Sequence, residues 1–537
     1  MSSFVHRSML GVALAGLAAV ALNAQNITGP DIMKGLSDPT RWLTIYGDYS
    51  GSRYSPLTQI TPANAAQLTP RWTFQTGVIG NFEATPVVLD GVLYFTGALN
   101  NAWAIEARTG KQLWSYHRAL PAGLKVCCGP VNRGFAIYGD RLFMTTLDAH
   151  LMAFEAKTGK VLWDVAMADY NLGYASTPAP LVVKDKLIVG VAGGEYANRG
   201  FLDAYDPATG KRVWRFWTVP AKGEPGSETW PDNVLERGGA PTWVTGTYDP
   251  ATNLLFWGTG NPNPDWDGST RAGDNLYAAS LLALDADTGK LRWHYQFTPH
   301  DTHDWDANQV PVLADLQIGG QTRKVVMQAN RNGFFYVLDR ATGKVIQAKP
   351  FVNLNWATGI GADGKPQEIP GHEPTEEGTV TCPDWYGGTN FMSPSFDASR
   401  NLFFLTVRET CAKFIRRETP EAKVGDRTMG GNVQPMTEPP RRGALRAIDP
   451  RTGERKWSVE YDGPGWAGVT STAGGVVFSS DHAGTFMAVD SSTGKVLYQY
   501  QTGGATYAPP TTYMLDGTQW IVQPSGSTVT AFSLAGR

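Results

Sequence analysis

Short apolar runs broken by polar turns recur along the chain, and one phrase organises them: an apolar residue, an acidic residue, two variable positions, Thr-Gly-Lys or a near variant, then often tryptophan. It reads AIEARTGKQLW (104–114), AFEAKTGKVLW (153–163), AYDPATGKRVW (204–214), ALDADTGKLRW (283–293), VLDRATGKVIQ (337–347), AIDPRTGERKW (447–457) and AVDSSTGKVLY (488–498). Each copy predicts an apolar strand, a tight turn on the Thr-Gly pair, and a second strand opening toward an aromatic residue.

The turn glycines are 110, 159, 210, 289, 343, 453 and 494. Most intervals match the period of a four-stranded propeller blade. The interval from Gly343 to Gly453 has room for one degenerate copy, for which FDASRNLFFLTV (396–407) is the candidate, and the interval before Gly289 must hold an insertion. Seven clear copies and one degenerate copy predict an all-β, eight-bladed β-propeller with tryptophan-docking repeats. SGSTVTAFSL (525–534) is placed to close the ring by pairing with a strand near the N-terminus. A β-solenoid would need shorter, more uniform turns, and separate β domains would need linkers. Only EIPGHEPTEEGTVT (368–381) is linker-like, and an insertion loop explains it equally well. One domain over 25–537 is the reading, and it gathers loops from distant parts of the sequence at one end.

Composition adds little except at the N-terminus. Gly 60, Pro 35 and Trp 18 suit many short strands and turns, and a formal net charge of −3 gives no reason to expect nucleic acid or an anionic membrane as partner. His6 and Arg7 precede an apolar run from Met9 to Leu22, and Leu22 and Ala24 bracket Asn23. That is the pattern of a secretory signal over 1–24, with a membrane anchor as the alternative; no other stretch approaches a membrane span. The mature chain is therefore expected in the periplasm. In an oxidising compartment four cysteines (127, 128, 382, 411) imply disulfides. Cys127 and Cys128 are neighbours, so a bond between them closes an eight-membered ring over Cα atoms only ~3.8 Å apart; two buried thiols are the alternative.

KVCCGPVNRG (125–134), set in a tryptophan-rich repeat, resembles the methanol and ethanol dehydrogenases that depend on pyrroloquinoline quinone (PQQ), and the likeness spans nearly the whole mature chain. The resemblance implies a Cys127–Cys128 disulfide against one face of the quinone and Trp243 of GGAPTWVTGTYDP (238–250) against the other, where a flat conjugated tricycle stays dry and loses little further freedom on binding. It implies Arg133 on a carboxylate and Arg331 on the quinone oxygens, roles that suit a planar, permanently charged fork. Glu83, Thr177, Asn390 and Trp466 match further cofactor contacts. Gly193 and Gly194 match a close backbone approach, while Ala192 stands where a relative offers serine. A Cys382–Cys411 disulfide also follows from the resemblance, and closing its loop would contribute ~3–4 kcal/mol.

The same resemblance implies a metal held by Glu195, Asn261, Asp304 and Asp306, with Asp304 as the catalytic carboxylate. Calcium-type relatives carry a small non-acidic residue at the position of Asp306, and lanthanide-type relatives an aspartate. An extended segment would point 304 and 306 the same way, and an extra carboxylate suits a trivalent ion, so a lanthanide is favoured with Ca²⁺ as the alternative. A zinc site on His300 and His303 lacks a recognisable spacing. The implied chemistry is oxidation of an alcohol to an aldehyde. Asp304 takes the hydroxyl proton, the metal polarises the quinone carbonyl, and Arg331 supports the developing charge on its oxygens. No Cys-x-x-Cys-His occurs, so no covalent c-type haem is carried and a separate soluble cytochrome c is the expected acceptor. Subunit number is not written in the sequence, a homodimer being one compatible assembly. The rival reading is a non-enzymatic propeller serving as an envelope assembly scaffold, which would need none of these residues. No hydrolytic motif supports a third class.

Overall fold

Each Thr-Gly phrase folds as the third and fourth strands of an antiparallel meander, with the turn between them. The computed structural model describes residues 26–536; the signal-like segment 1–24 lies outside the described residues. Among these, seven four-stranded sheets and one five-stranded sheet account for most of the strands, and a two-stranded and a three-stranded sheet are additional. In chain order the first sheet runs Val87–Leu89, Val92–Gly97, Asn101–Glu106, Gln112–His117. The next four open at Ala136–Tyr138, Leu181–Val183, Thr247–Asp249 and Val312–Ile318. The sixth opens at Ser395–Asp397 and the seventh at Thr470–Thr472, the latter with Tyr54–Ser55 added in parallel at its edge. The eighth is built from Thr511–Leu515, Thr518–Ser525 and Thr528–Leu534, and its fourth strand, Leu68–Gln75, comes from near the N-terminus. The expected pairing of the C-terminal segment with an N-terminal strand is thus present.

The tryptophans join sheet to sheet. Trp72, Trp114, Trp163, Trp214, Trp293 and Trp457 each stand in a fourth strand and donate the indole N–H to a carbonyl in the next sheet's turn, of Ala107, Ala156, Pro207, Ala286, Arg340 and Ser491, at 2.9–3.3 Å. The ring lies on the turn glycine: a Cβ on Gly159, whose φ is +73°, would sit 2.7 Å from Trp114. Glycine is required there twice, by the left-handed backbone and by the ring. In the copy that carries Gln347 in place of tryptophan, the side chains of Gln347 and Lys349 cover Gly453 instead.

Antiparallel order fixes what emerges at each end of a meander. The turns between strands 1 and 2 and between strands 3 and 4 fall at one end. The loops between strands 2 and 3, and the connections from a fourth strand to the next first strand, fall at the other. The Thr-Gly turns therefore occupy one end, and the longer loops share the opposite one.

One expectation is corrected. FDASRNLFFLTV is not a degenerate repeat: Ser395–Asp397 and Leu402–Glu409 are the first two strands of the sheet whose last two, Arg442–Asp449 and Glu454–Tyr461, carry AIDPRTGERKW. The wide interval arises because the three-stranded sheet Thr379–Thr381, Ala412–Arg416, Gly431–Pro435 and its loops are inserted there. The sheet lacking a Thr-Gly phrase is the eighth, shared between the two ends of the chain. The linker-like 368–381 segment belongs to this insertion. Among the described residues no helix is long and apolar enough to cross a membrane.

Candidate active site

The loop end holds a cavity of about 720 Å³. Glu83, Cys127, Cys128, Arg133, Thr177, Gly193, Glu195, Trp243, Asp304, Asp306, Arg331, Asn390 and Trp466 all line it. Each comes from one of the two loop types that emerge at this end. Cys127, Cys128 and Arg133 lie between the first and second sheets, Thr177 between the second and third, and Trp243 between the third and fourth. Asp304 and Asp306 lie between the fourth and fifth sheets, while Glu195 and Arg331 lie between second and third strands. The chain order that separates them by hundreds of residues is erased by the fold.

Cys127 and Cys128 are disulfide-bonded, as are Cys382 and Cys411. Arg133 is buried in ion contact with Glu83 (Nη2 to Oε2, 2.7 Å), donates from Nη1 to Thr177 Oγ1 at 2.7 Å, and lies over Trp243, 4.8 Å from the ring centroid. Burial pushes the Glu83 carboxyl up, with Arg133 pulling it back. Gly193 has φ +111°, and a Cβ on it would lie 2.1 Å from the Gly173 carbonyl oxygen. Glycine at 193 is therefore required by its left-handed backbone and by packing against neighbouring backbone. Gly194 is hemmed in by Pro241 and by Asn261 Oδ1, 2.8 and 3.0 Å from where a Cβ would be. Trp466 stacks on Phe391, with centroids 5.6 Å apart.

Beside this wall stand four buried carboxyl groups, of Glu195, Asp265, Asp301 and Asp306, and the part-buried carboxyl of Asp304. Arg331 reaches two of them, with Nη1 3.2 Å from Asp304 Oδ1 and Nη2 3.2 Å from Asp306 Oδ2. Asp306 also accepts from Trp243 Nε1 at 2.7 Å and from the Asn261 backbone N–H at 2.5 Å, which links the aromatic wall to the acidic cluster. Asn261 donates its amide to Asp265 Oδ1 at 2.9 Å, so its Oδ1 is the atom left for another partner. Burial raises Asp304 well above the usual carboxylate range against the pull of Arg331, and Asp306, Asp265 and Glu195 add to the rise. Glu195 is pushed up to about 6 and Asp301 to about 7, chiefly by burial.

Two of these buried oxygens, Glu195 Oε2 and Asp265 Oδ2, have no hydrogen-bond partner. A crowd of oxygen donors carrying more negative charge than its arginines offset is the donor set a hard, highly charged cation requires. On the same test, the Nε atoms of Arg133 and Arg331 are buried without a partner beside a disulfide and an indole, which fits a flat, carboxylate-bearing group.

The structure also changes details. Residues 301–310 form no strand, and Asp304 has φ +57°, so 304 and 306 converge through a loop bend that turns both toward Arg331, not by extended alternation. The predicted carboxylates are not gathered round one point; among the described residues the tight groups of potential ligands are Cys127–Cys128–Glu195 and Glu368–His372–Glu373. His300 and His303 do not meet: His300 Nδ1 pairs with the Gly273 carbonyl at 2.8 Å, while His303 stacks on Trp305 and is pushed down to about 3 by burial. The resemblance implied no role for Asp265 or Asp301, although they lie four residues after Asn261 and three before Asp304.

Comparison with known proteins finds relatives over most of the chain. The family described as "Glucose/ethanol/alcohol dehydrogenase, beta-propeller domain" matches residues 42–349, and "Outer membrane protein assembly factor BamB" matches residues 441–537. The quinoprotein alcohol dehydrogenase PedH of Pseudomonas putida is 37% identical, covering 96% of this chain and 90% of its own. The lanthanide-dependent methanol dehydrogenase of Methylacidiphilum fumariolicum is 36% identical over 92% of this chain and 86% of its own. The solved structure of a europium-containing methanol dehydrogenase superposes with a TM-score of 0.89 at 32% identity, covering 94% of this chain and 100% of that one.

Proposed function

This chain belongs to the PQQ-dependent quinoprotein alcohol dehydrogenases, and on that premise we propose that it oxidises a small alcohol to its aldehyde in the periplasm, with a lanthanide ion beside PQQ and a separate soluble cytochrome c as electron acceptor. The observation that carries this reading is the convergence of the Cys127–Cys128 disulfide, Trp243, Arg331 and Asp304 on one cavity.

PQQ, when bound, supplies a quinone that accepts hydride, and a cation beside it supplies Lewis acidity. Asp304 is the general base. Its raised pKa, set by burial and neighbouring carboxyls, makes its ionised form a stronger acceptor for the alcohol proton than an exposed aspartate. Arg331 orients that carboxylate through its contact with Asp304 Oδ1 and offers positive charge where negative charge develops. Arg133, Thr177, Glu83, Asn390 and Trp466 would hold the cofactor's polar groups, and the Cys127–Cys128 disulfide and Trp243 would pack against its flat ring system. Gly193 and Gly194 would let backbone approach the cofactor closely. Glu195, Asn261, Asp304 and Asp306 would hold the cation. The second carboxylate of the Asp304-x-Asp306 pair favours a trivalent ion over Ca²⁺.

An eight-bladed ring over 25–537 is supported by the succession of meander sheets, the tryptophan docking between them and the pairing of Leu68–Gln75 with Thr528–Leu534. Export is supported by the signal-like pattern of 1–24 and by the two disulfides. A scaffold would need neither the buried carboxylates nor the disulfide at the cavity.

Reconstitution of the PQQ-free protein with PQQ and either La³⁺ or Ca²⁺, followed by dye-linked alcohol oxidation, tests the proposal. Activity with La³⁺ and little with Ca²⁺ is expected. Activity with Ca²⁺ alone overturns the choice of metal, and failure to take up PQQ with either ion overturns the enzyme reading.

A further inference from the structure

Arg408, near the end of the strand Leu402–Glu409, is 1% exposed, yet its Nε and Nη1 have no hydrogen-bond partner. Its guanidinium lies 4.0 Å from the Trp466 ring centroid and 5.3 Å from that of Tyr386, and it lines the same cavity as Asn390 and Trp466. Arg441 lines that cavity as well, with its own Nε unpartnered, and its Nη2 is 3.6 Å from Asp384 Oδ2. Asp384 is the carboxyl that chiefly offsets the burial of Arg408, and it is also the acid beside Arg441, so two arginines lean on one acid.

A buried guanidinium can be fully satisfied in this protein. Arg53, 0% exposed, donates to the carbonyls of Val469, Ile45 and Pro510 and to Thr470 Oγ1. Arg133 has Glu83 and Thr177, and Arg331 has Asp304 and Asp306. Arg408 is the least compensated of the cavity's buried cations. A desolvated cation with unused donors is costly unless an anion meets it, and a planar fork meets a carboxylate best.

We propose that Arg408, backed by Arg441, is a third cationic subsite of this cavity and binds a carboxylate of PQQ. The assignment rests on the PQQ reading above. Stacked on Trp466, the Arg408 plane is held against a cofactor-contacting ring with few conformations to lose, so its donors are aimed in advance.

The test is a titration of the PQQ-free full-length protein, at fixed La³⁺, with PQQ and with its carboxylate-blocked trimethyl ester, read by quenching of tryptophan fluorescence. Arg408→Gln is expected to weaken PQQ at least about tenfold, the scale of a charge-assisted hydrogen bond, and to leave ester binding within about twofold of wild type. Arg408→Lys, which keeps the charge and loses the fork, should fall between. Asp384→Asn removes the competing acid and should bind PQQ at least as tightly as wild type. Equal losses for PQQ and ester, or wild-type PQQ affinity in Arg408→Gln, overturn the proposal in favour of a packing role. A loss in Asp384→Asn matching that of Arg408→Gln does the same in favour of the ion pair. Wild-type PQQ affinity with a raised KM only for carboxylate-bearing alcohols moves Arg408 to the substrate. If the wild-type protein takes up no PQQ, the cofactor reading itself falls; if only the Arg408 variants behave as wild type, this subsite alone does.

Discussion

The two ends of the sheets are made from one strand pattern and follow opposite rules. At the turn end most polar groups find partners close by, Arg340 Nε and Ser491 Oγ being the buried exceptions within the Thr-Gly phrases. Thr209 and Thr288 donate to Asp206 and Asp285 within their own turns at 2.8 and 2.9 Å, and the indoles close on carbonyls of the next sheet. At the loop end, Glu195, Asp265, Arg133, Arg331 and Arg408 keep buried polar atoms without partners. The first arrangement repeats because it satisfies itself. The second is unique and leaves donors and acceptors for something else, as binding sites do.

Substitutions at the two ends should separate stability from chemistry. The largest effect is expected at the loop end: Asp304→Asn should lower turnover by about 10²- to 10⁴-fold, the range of general-base catalysis, with PQQ uptake kept. Dye-linked oxidation beside the absorbance of bound cofactor checks this, and near-normal turnover removes Asp304 from the base role. At the turn end, Trp114→Ala should cost about 3–5 kcal/mol of stability, read by urea unfolding. Turnover per cofactor-loaded molecule should stay at the wild-type level, and a parallel fall would mean the two ends are not independent. Asp306→Ala should weaken La³⁺ at least about tenfold, the scale on which even outer partners of a metal act. It removes the second carboxylate of the pair and shifts preference toward Ca²⁺. An unchanged La³⁺ titration sinks that role.

The smallest effect is in pH. Glu195 titrates near pH 6 in the folded protein because burial disfavours its charge, so below that value a proton must be displaced before it can hold a cation. Between pH 6 and pH 5, cation affinity should fall by at most about tenfold for one such proton. Titrations at the two pH values check it, and affinity that rises on acidification contradicts it. The same shift sets a sign for stability without cation. The folded-state pKa exceeds the unfolded one, so the contribution of Glu195 declines as pH rises from about 4.5 to about 6.

Much of the turn end is legible in the sequence because its determinants are local. An acidic residue, a threonine and a glycine within five positions fix the turn, and a tryptophan at constant spacing reports the docking partner. KVCCGPVNRG is legible for the same reason. The misreading of 396–407 shows the limit. An apolar run flanked by turn residues has the same appearance as strands 1 and 2 or as strands 3 and 4 of a meander, and an insertion hides which.

The amino-acid sequence by itself determined the all-β repeat and the joining of the chain's two ends, and its resemblance to the family implied many of the residues that line the cavity. Only the tertiary structure decided that Asp265 and Asp301 join the acidic cluster, that Asp304 turns by a left-handed bend toward Arg331, and that Arg408 is buried with unused donors beside Trp466. The physical reason is range. Turn geometry is set by neighbours in sequence, whereas burial and the balance of charge are sums over side chains drawn from many sheets, and they have no value until those sheets are in place.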